Sequence, residues 1–232
     1  MRILAVETAT PQGSIALADE SGVLAEVRSP RGATHASWLM PAVERLFRTA
    51  GLSLEKIGGL AVSAGPGSFT GLRIGLSTVK GLALGAGKPV AAVSTLDALA
   101  RSVPPCRRLL CAILDARKKE VYAAFFRFDG NGGMARQTDD LVLPPDRLAG
   151  RIDEPVLFVG NGIDPYRQEL EAALGRRALF ASDRFRYPRA GAVAALGLIR
   201  LARGRADALE TLEPRYVRAS EAEVKRRERG AP

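Results

Sequence analysis

At 232 residues the chain is long enough for one large domain or two small ones around an apolar core. Cys106 and Cys111, its only cysteines, stand five apart and match neither a disulfide framework nor a zinc-ligand spacing. No apolar run reaches the length of a membrane span, and the start MRILAV is too short for a leader, so a cytoplasmic protein is expected. The net charge of +9 is concentrated late: from Arg176 onward fourteen Lys and Arg face seven Asp and Glu, which suits either a polyanionic partner or an Arg-rich solvated surface.

Residues 2–10, 13–19 and 22–29 read as three strands, the last two joined by a tight turn through Asp19 and Gly22. Leu39, Val43, Leu46, Phe47 and Ala50 then recur at helical spacing and stop at Gly51, with Glu44 and Arg48 paired on the other side. GGLAVSAG (58–65) reads as a buried strand, followed by a glycine-rich turn, a helix over 71–87 and a further strand in KPVAAVSTL. In the second half, 109–115 and 120–129 are predicted strands about a polar turn, and 130–155 is rich in Pro and Gly. VLFVGNG (156–162) is another strand, and helices are predicted over 166–174 and 190–203. The order implies α/β architecture with mixed sheets flanked by helices, and a lobe boundary near 102–105.

The stretch GPGSFTGLRIG (65–75) resembles a phosphate cradle but fits neither common one. Leu72 stands where a P-loop needs lysine, and Thr70 where the dinucleotide fingerprint needs its third glycine. Two readings stay open: an anion site at the helix N-terminus with Ser68, Thr70 and Arg73, or packing. Gly71, Gly75, Gly81 and Gly85 recur down the predicted helix, each costing about 1 kcal/mol relative to alanine, and close approach of another backbone would offset that cost. The helix is apolar over most of its circumference. Leu72, Leu76, Val79, Ala83 and Ala86 form one stripe, with Ile74, Leu82 and Leu84 outside it, so a partner surface or full burial is implied. Trp38 and Met40 likewise lie off the stripe of the first helix.

His35 is the single histidine, and Leu39 four residues later removes any H-x-x-x-H metal pair. Glu7 and Asp115, each ending a strand, are candidates to hold a metal-bound water in a nucleotide fold, or are ordinary strand-end carboxylates.

Together with LAVETAT, THASWLMP, DARKKEVY and EPRYVRASEAE, the GPGSFTGLRIG stretch resembles the TsaB (YeaZ) family over nearly the whole chain. The resemblance implies an actin-like ASKHA (ribonuclease H-like) fold of two lobes, 1–103 and 104–220, with a basic, disordered tail over 221–232. It implies a non-catalytic partner of TsaD, the transferase that threonylcarbamoylates N6 of adenosine 37 in tRNAs reading ANN codons, with no cofactor or metal of its own.

The resemblance puts the TsaD-facing surface on the first two helices, with His35, Trp38, Leu39, Met40, Val43 and Phe47 on one, and Ser68, Phe69, Thr70, Leu72, Arg73, Gly75, Leu76, Val79, Leu82 and Ala83 on the other. TsaE is implied in a larger complex, a homodimer when TsaD is absent, and tRNA contact indirectly or through the basic C-terminus. Glu7, Thr8, Ser14 and Asp115 are the weak nucleotide candidates, and Gly160-Asn161-Gly162 a faint trace of an adenosine site. The alternative is a stand-alone ASKHA-type ATPase or metallopeptidase using the interlobe cleft.

Overall fold

The computed structural model describes residues 1–30 and 32–217. Two sheets organise them. The first comprises β1 (Ile3–Glu7), β2 (Ser14–Asp19), β3 (Gly22–Arg28), β4 (Gly59–Gly65) and β5 (Val90–Ser94) in the order β3-β2-β1-β4-β5, antiparallel through the opening meander and parallel from β1 onward. The second comprises β6 (Leu109–Arg117), β7 (Glu120–Phe128), β8 (Met134–Arg136), β10 (Val156–Val159) and β11 (Ala178–Phe180) in the order β11-β10-β6-β7-β8, with β9 (Leu141–Leu143) also on β7. A central strand with an antiparallel hairpin on one side and parallel strands on the other occurs in both, the duplicated arrangement of actin-like ASKHA folds.

Strand alternation decides what covers the first sheet. Leu4, Val6, Ile15, Leu17, Leu60 and Val62 point to one face, where they pack with Leu39, Val43 and Leu46 of α1 (His35–Ala50) and Leu76 and Val79 of α2 (Phe69–Ala86). Ile3, Ala5, Ala16, Ala18 and Ala61 point to the other. That face is built mostly of alanine, and small side chains let a helix lie close. The helix is α6 (Ala190–Ala202), whose Gly197 sits so near Ala61 that a Cβ on it would overlap the alanine methyl. The expected division at 103/104 puts this helix with the second lobe. In the structure it packs on the alanine-lined face of the first sheet, with Ala190, Val193 and Ala194 over Ile3, Ala5, Ala16 and Ala61.

The docking is fixed at the helix start. Arg189, the N-cap residue, makes no side-chain cap of its own. Ser14 on β2 accepts from the Ala190 N–H at 2.8 Å, and Glu26 on β3 accepts from the Gly191 N–H at 2.9 Å while pairing with Arg189. Two free helix donors are thereby satisfied by strands more than 160 residues earlier.

A helix not foreseen in the sequence, α3 (Thr95–Arg101), lies between the sheets. Ala98 joins the core of the first, and Leu96, Leu99 and Ala100 join Leu110, Leu114 and Phe126 of the second. Arg136 on β8 ties the halves together, donating to Asp97 of α3 at 2.8 Å, to Ser94 at 3.3 Å and to the Thr138 carbonyl at 2.7 Å, and pairing with Asp140. Burial holds the Asp97 carboxyl above its usual range even beside that guanidinium. Below the second sheet, α4 (Pro145–Ala149) and α5 (Ile163–Leu174) close a core around Phe158, Tyr166 and Leu170.

Other expectations hold with small shifts at the ends: α1 runs from Thr34, whose hydroxyl accepts from Ser37 N–H, to Gly51 in the left-handed conformation, and α2 begins two residues before Gly71. The tail over 221–232 lies outside the described residues. No helix among those described is long and apolar enough to cross a membrane. Replacing Ser14 by alanine removes the remote cap of α6, and a loss of about 1–2 kcal/mol in urea unfolding is expected.

Candidate functional site

The 65–75 stretch connects β4 to α2, and each of its glycines admits a particular neighbour. A Cβ on Gly65 (φ +119°) would stand 2.5 Å from the Arg215 carbonyl oxygen; one on Gly67 would overlap the Ala9 carbonyl oxygen; one on Gly71 the Thr8 carbonyl oxygen; and one on Gly75 the Thr8 hydroxyl. The Thr8 hydroxyl donates to the Gly71 carbonyl at 2.8 Å, and the Ser68 N–H donates to Ala9 at 2.7 Å. The β1–β2 loop, the first turn of α2 and the segment around Arg215 thus meet with no room for side chains between them. Packing is therefore what four of these glycines serve.

The anion reading fares differently. Ser68 Oγ caps α2 by accepting from Gly71 N–H at 3.2 Å, and Arg73 lies over the Phe69 ring at 3.9 Å while donating to the Tyr216 hydroxyl at 3.1 Å. Phe69 stacks on Tyr216 at 5.1 Å. The hydroxyl and the guanidinium that would receive an anion are engaged within the chain.

The strand-end residues are equally committed. Glu7 is fully buried; its Oε1 accepts from Ala9 N–H at 2.7 Å and its Oε2 lies 3.3 Å from the Thr10 hydroxyl. Burial raises its pKa to about 8, against the smaller opposing effect of those hydrogen bonds. A neutral acid makes a poor holder of a metal-bound water. Thr8 and Ser14 are buried on Gly71 and on the start of α6. Asp115 accepts from the Arg117 N–H at 2.8 Å and pairs with its guanidinium at 3.3 Å. Gly160 and Gly162 abut Ile113, and Gly160 also Leu99, so these two glycines serve packing rather than a base. Among the described residues no three His, Cys, Asp or Glu side chains gather as metal ligands.

His35 is the first residue of α1, and its Nε2–H donates to the Thr10 carbonyl at 2.9 Å, tying α1 to the same loop. The remaining helix residues separate into two groups. Trp38, Leu39, Val43, Leu72, Gly75, Leu76, Val79 and Ala83 are buried against their own lobe, so of the two readings left open for the apolar stripe of α2 the isolated chain shows burial. Its leucines and valine complete the core over Leu4 and Val6. His35, Phe47, Phe69 and Leu82 are half-buried, and Met40, Ser68, Thr70 and Arg73 are exposed.

Sequence reasoning missed the outward face of α2. At 100° per residue Gly71 and Gly75 fall within about 100° of Leu72 and Val79, whereas Gly81 falls opposite those two, beside Ser77, and Gly85 returns to within about 40° of Gly71 but about four turns further along the helix. A Cβ at either Gly81 or Gly85 would meet nothing within 4 Å. Leu84 is 79% exposed there, and Met40 on α1 47% exposed. The available signal was Gly81, which falls opposite the side of Leu72 and Val79.

A duplicated actin-like fold with closed strand ends and an open helix pair defines the class. The family model described as "TsaD: tRNA N6-adenosine threonylcarbamoyltransferase" matches residues 18–226. The chain is 33% identical to the tRNA threonylcarbamoyladenosine biosynthesis protein TsaB of Bacillus subtilis, over 97% of both chains. It is 35% identical to that of Escherichia coli, over 94% of this chain and 95% of the other. The solved structure of YeaZ from Pseudomonas aeruginosa superposes with a TM-score of 0.79 at 31% identity, covering 93% of this chain and 99% of that one. The chain belongs to the TsaB (YeaZ) family.

Two measurements check the site. The native state holds the Glu7 proton more tightly than the unfolded chain does, so its contribution to stability falls as pH rises from about 4.5 to about 8 and is level above. Glu7→Gln should flatten that slope in urea titrations and leave the variant the more stable protein at pH 8. Gly75→Ala should cost about 2 kcal/mol or more and be partly rescued by Thr8→Ala, whereas Gly71→Ala, which meets the Thr8 backbone, should not be rescued.

Proposed function

We propose that this chain is the non-catalytic partner of a TsaD-type transferase, acting in threonylcarbamoylation of N6 of adenosine 37 in tRNAs that read ANN codons. The observation carrying the reading is the outer face of α2. Gly81 and Gly85 each cost about 1 kcal/mol relative to alanine in a helix, and nothing among the described residues comes within 4 Å of the space they leave. With Leu84 exposed between them and Met40 open on the adjacent helix, the face suits a helix of another protein that brings its backbone close and covers the apolar side chains. The relatives' name places them in threonylcarbamoyladenosine biosynthesis, and the family resemblance supplies TsaD as the partner.

A catalytic role for the chain itself finds little support. Glu7 is a neutral buried acid, Thr8 and Ser14 are spent on packing and capping, and position 39 holds leucine where the paralogue has a metal-binding histidine. In this reading the interface comprises Met40, Phe47, Ser68, Phe69, Thr70, Arg73 and Leu82 from the expected set, joined by Ser77, Gly81, Leu84 and Gly85. TsaE joins the pair in a larger complex, and without TsaD the same face closes on a second copy.

Leu84→Glu and Gly81→Leu should each keep the melting temperature of the isolated chain within a few degrees and abolish co-purification with TsaD. Native folding with undiminished co-purification would refute the proposal. Gly81→Ala, by contrast, should stabilise the isolated chain against urea by about 1 kcal/mol.

A further inference from the structure

At the end of the second sheet opposite Asp115 and Gly160, the strands β6, β10 and β11 begin side by side, Val156 pairing with Leu109 on one side and Ala178 on the other. The chain enters these strands through Arg107 and Arg108, through Pro155, and through a 3-10 turn over Gly175–Arg177, so Arg107, Arg108, Arg176 and Arg177 all lie at this end of the sheet. The antiparallel β7 ends at the same rim and supplies Arg127, which pairs with Glu154. The α4–β10 connection adds Arg151 and folds over the rim, its Ile152 carbonyl accepting from the Arg177 guanidinium at 2.8 Å.

Six arginines therefore meet three nearby acids. Glu154 is taken by Arg127; the Asp129 carboxylate accepts from the N–H groups of Asn131 and Gly133 in its own hairpin; Asp153 is exposed. Glu171, one turn before the end of α5, is paired with Arg167. Arg107, Arg108, Arg151 and Arg176 are exposed and make no ion pair among the described residues.

We infer that this arginine rim is a docking surface for the phosphodiester backbone of RNA, specifically the tRNA that the proposed TsaD complex modifies. The starts of β6 and β11 are two strand spacings apart, about 10 Å, which gathers these arginines at one edge of the sheet, and a guanidinium can grip phosphate oxygens bidentately. No large exposed apolar side chain lies on the rim: among the described residues these are Met1, Val23, Leu24, Met40, Leu84, Ile199 and Tyr216. An anionic membrane surface would be met without an inserting anchor, and an RNA would be held by its backbone without base readout. The rim shares no residue with α1 or α2, so a tRNA can reach it while TsaD occupies the helices.

The inference rests on the proposed function for the identity of the RNA, and the experiment separates the two. The full chain carrying Arg107→Ala, Arg108→Ala, Arg151→Ala and Arg176→Ala is titrated with an unmodified tRNA transcript, alone and with TsaD, across a series of KCl concentrations. Co-purification with TsaD should be unchanged, tRNA affinity at low salt should fall about tenfold or more, and the salt slope should become shallower by about 2 to 4. Unchanged affinity and slope overturn the inference, as does arginine-dependent binding of phosphatidylserine vesicles in place of tRNA. Loss of TsaD binding by the wild-type chain refutes the proposed function alone, since the free chain still reports on the rim. Should the alanine set lower the melting temperature, the corresponding glutamine set, which keeps the aliphatic stems, gives the same readout.

Discussion

The docking of α6 on the first sheet governs the arrangement of everything else. Ser14 and Glu26 satisfy the free donors at the start of that helix, and the alanines of β1, β2 and β4 give it a floor low enough for Gly197 to touch. Once α6 covers one face and α1 and α2 cover the other, the sheet is finished. What remains open is the outer side of α1 and α2, where Met40 and Leu84 are exposed. The division of the chain into lobes by sequence position thus differs from its division by packing: the last helix completes the first sheet, and α3 crosses to the second.

Glycine appears in α2 in two opposite settings. Gly71 and Gly75 remove a side chain so that the β1–β2 loop can press against the helix, and the contact they allow is visible in the Thr8 hydroxyl bonded to Gly71. Gly81 and Gly85 remove a side chain where no described residue comes within 4 Å of the space. The first pair is explained by the fold, and the second by no contact among the described residues. The same economy disposes of the strand-end polar residues, which are spent on contacts within the chain. Here a carboxyl, two hydroxyls and a histidine close the loop upon itself, and Glu7 gives up its charge to remain there.

Much of the fold was legible in the sequence because its signals are local. The opening meander follows strand alternation, α1 ends at a left-handed glycine, and α2 shows its period over eighteen residues. What escaped was short or remote. The three-residue strands β8, β9 and β11 carry too few residues to display alternation. For α3 a signal existed, since Ser94 and Asp97 have the spacing of a helix-start box and the Ser94 hydroxyl does accept from Asp97 N–H at 3.4 Å; an apolar strand running straight into it hid the boundary. No pattern in the sequence joins Ser14 to Ala190. At the site, periodicity located the apolar stripe of α2 but not its destination, because a stripe bound for the core and one bound for a partner look alike in one dimension. Only burial separates Leu76, at 3% exposure, from Leu84 at 79%.

A lobe that waits for its own last helix has a history on the ribosome. β1 to β5 emerge early, yet their alanine-lined face stays wet until residues 190–202 arrive, roughly five to twenty seconds later at ordinary rates of synthesis. Through that interval the nascent chain carries an unfinished sheet, and a product cut short before Ala190 never finishes it.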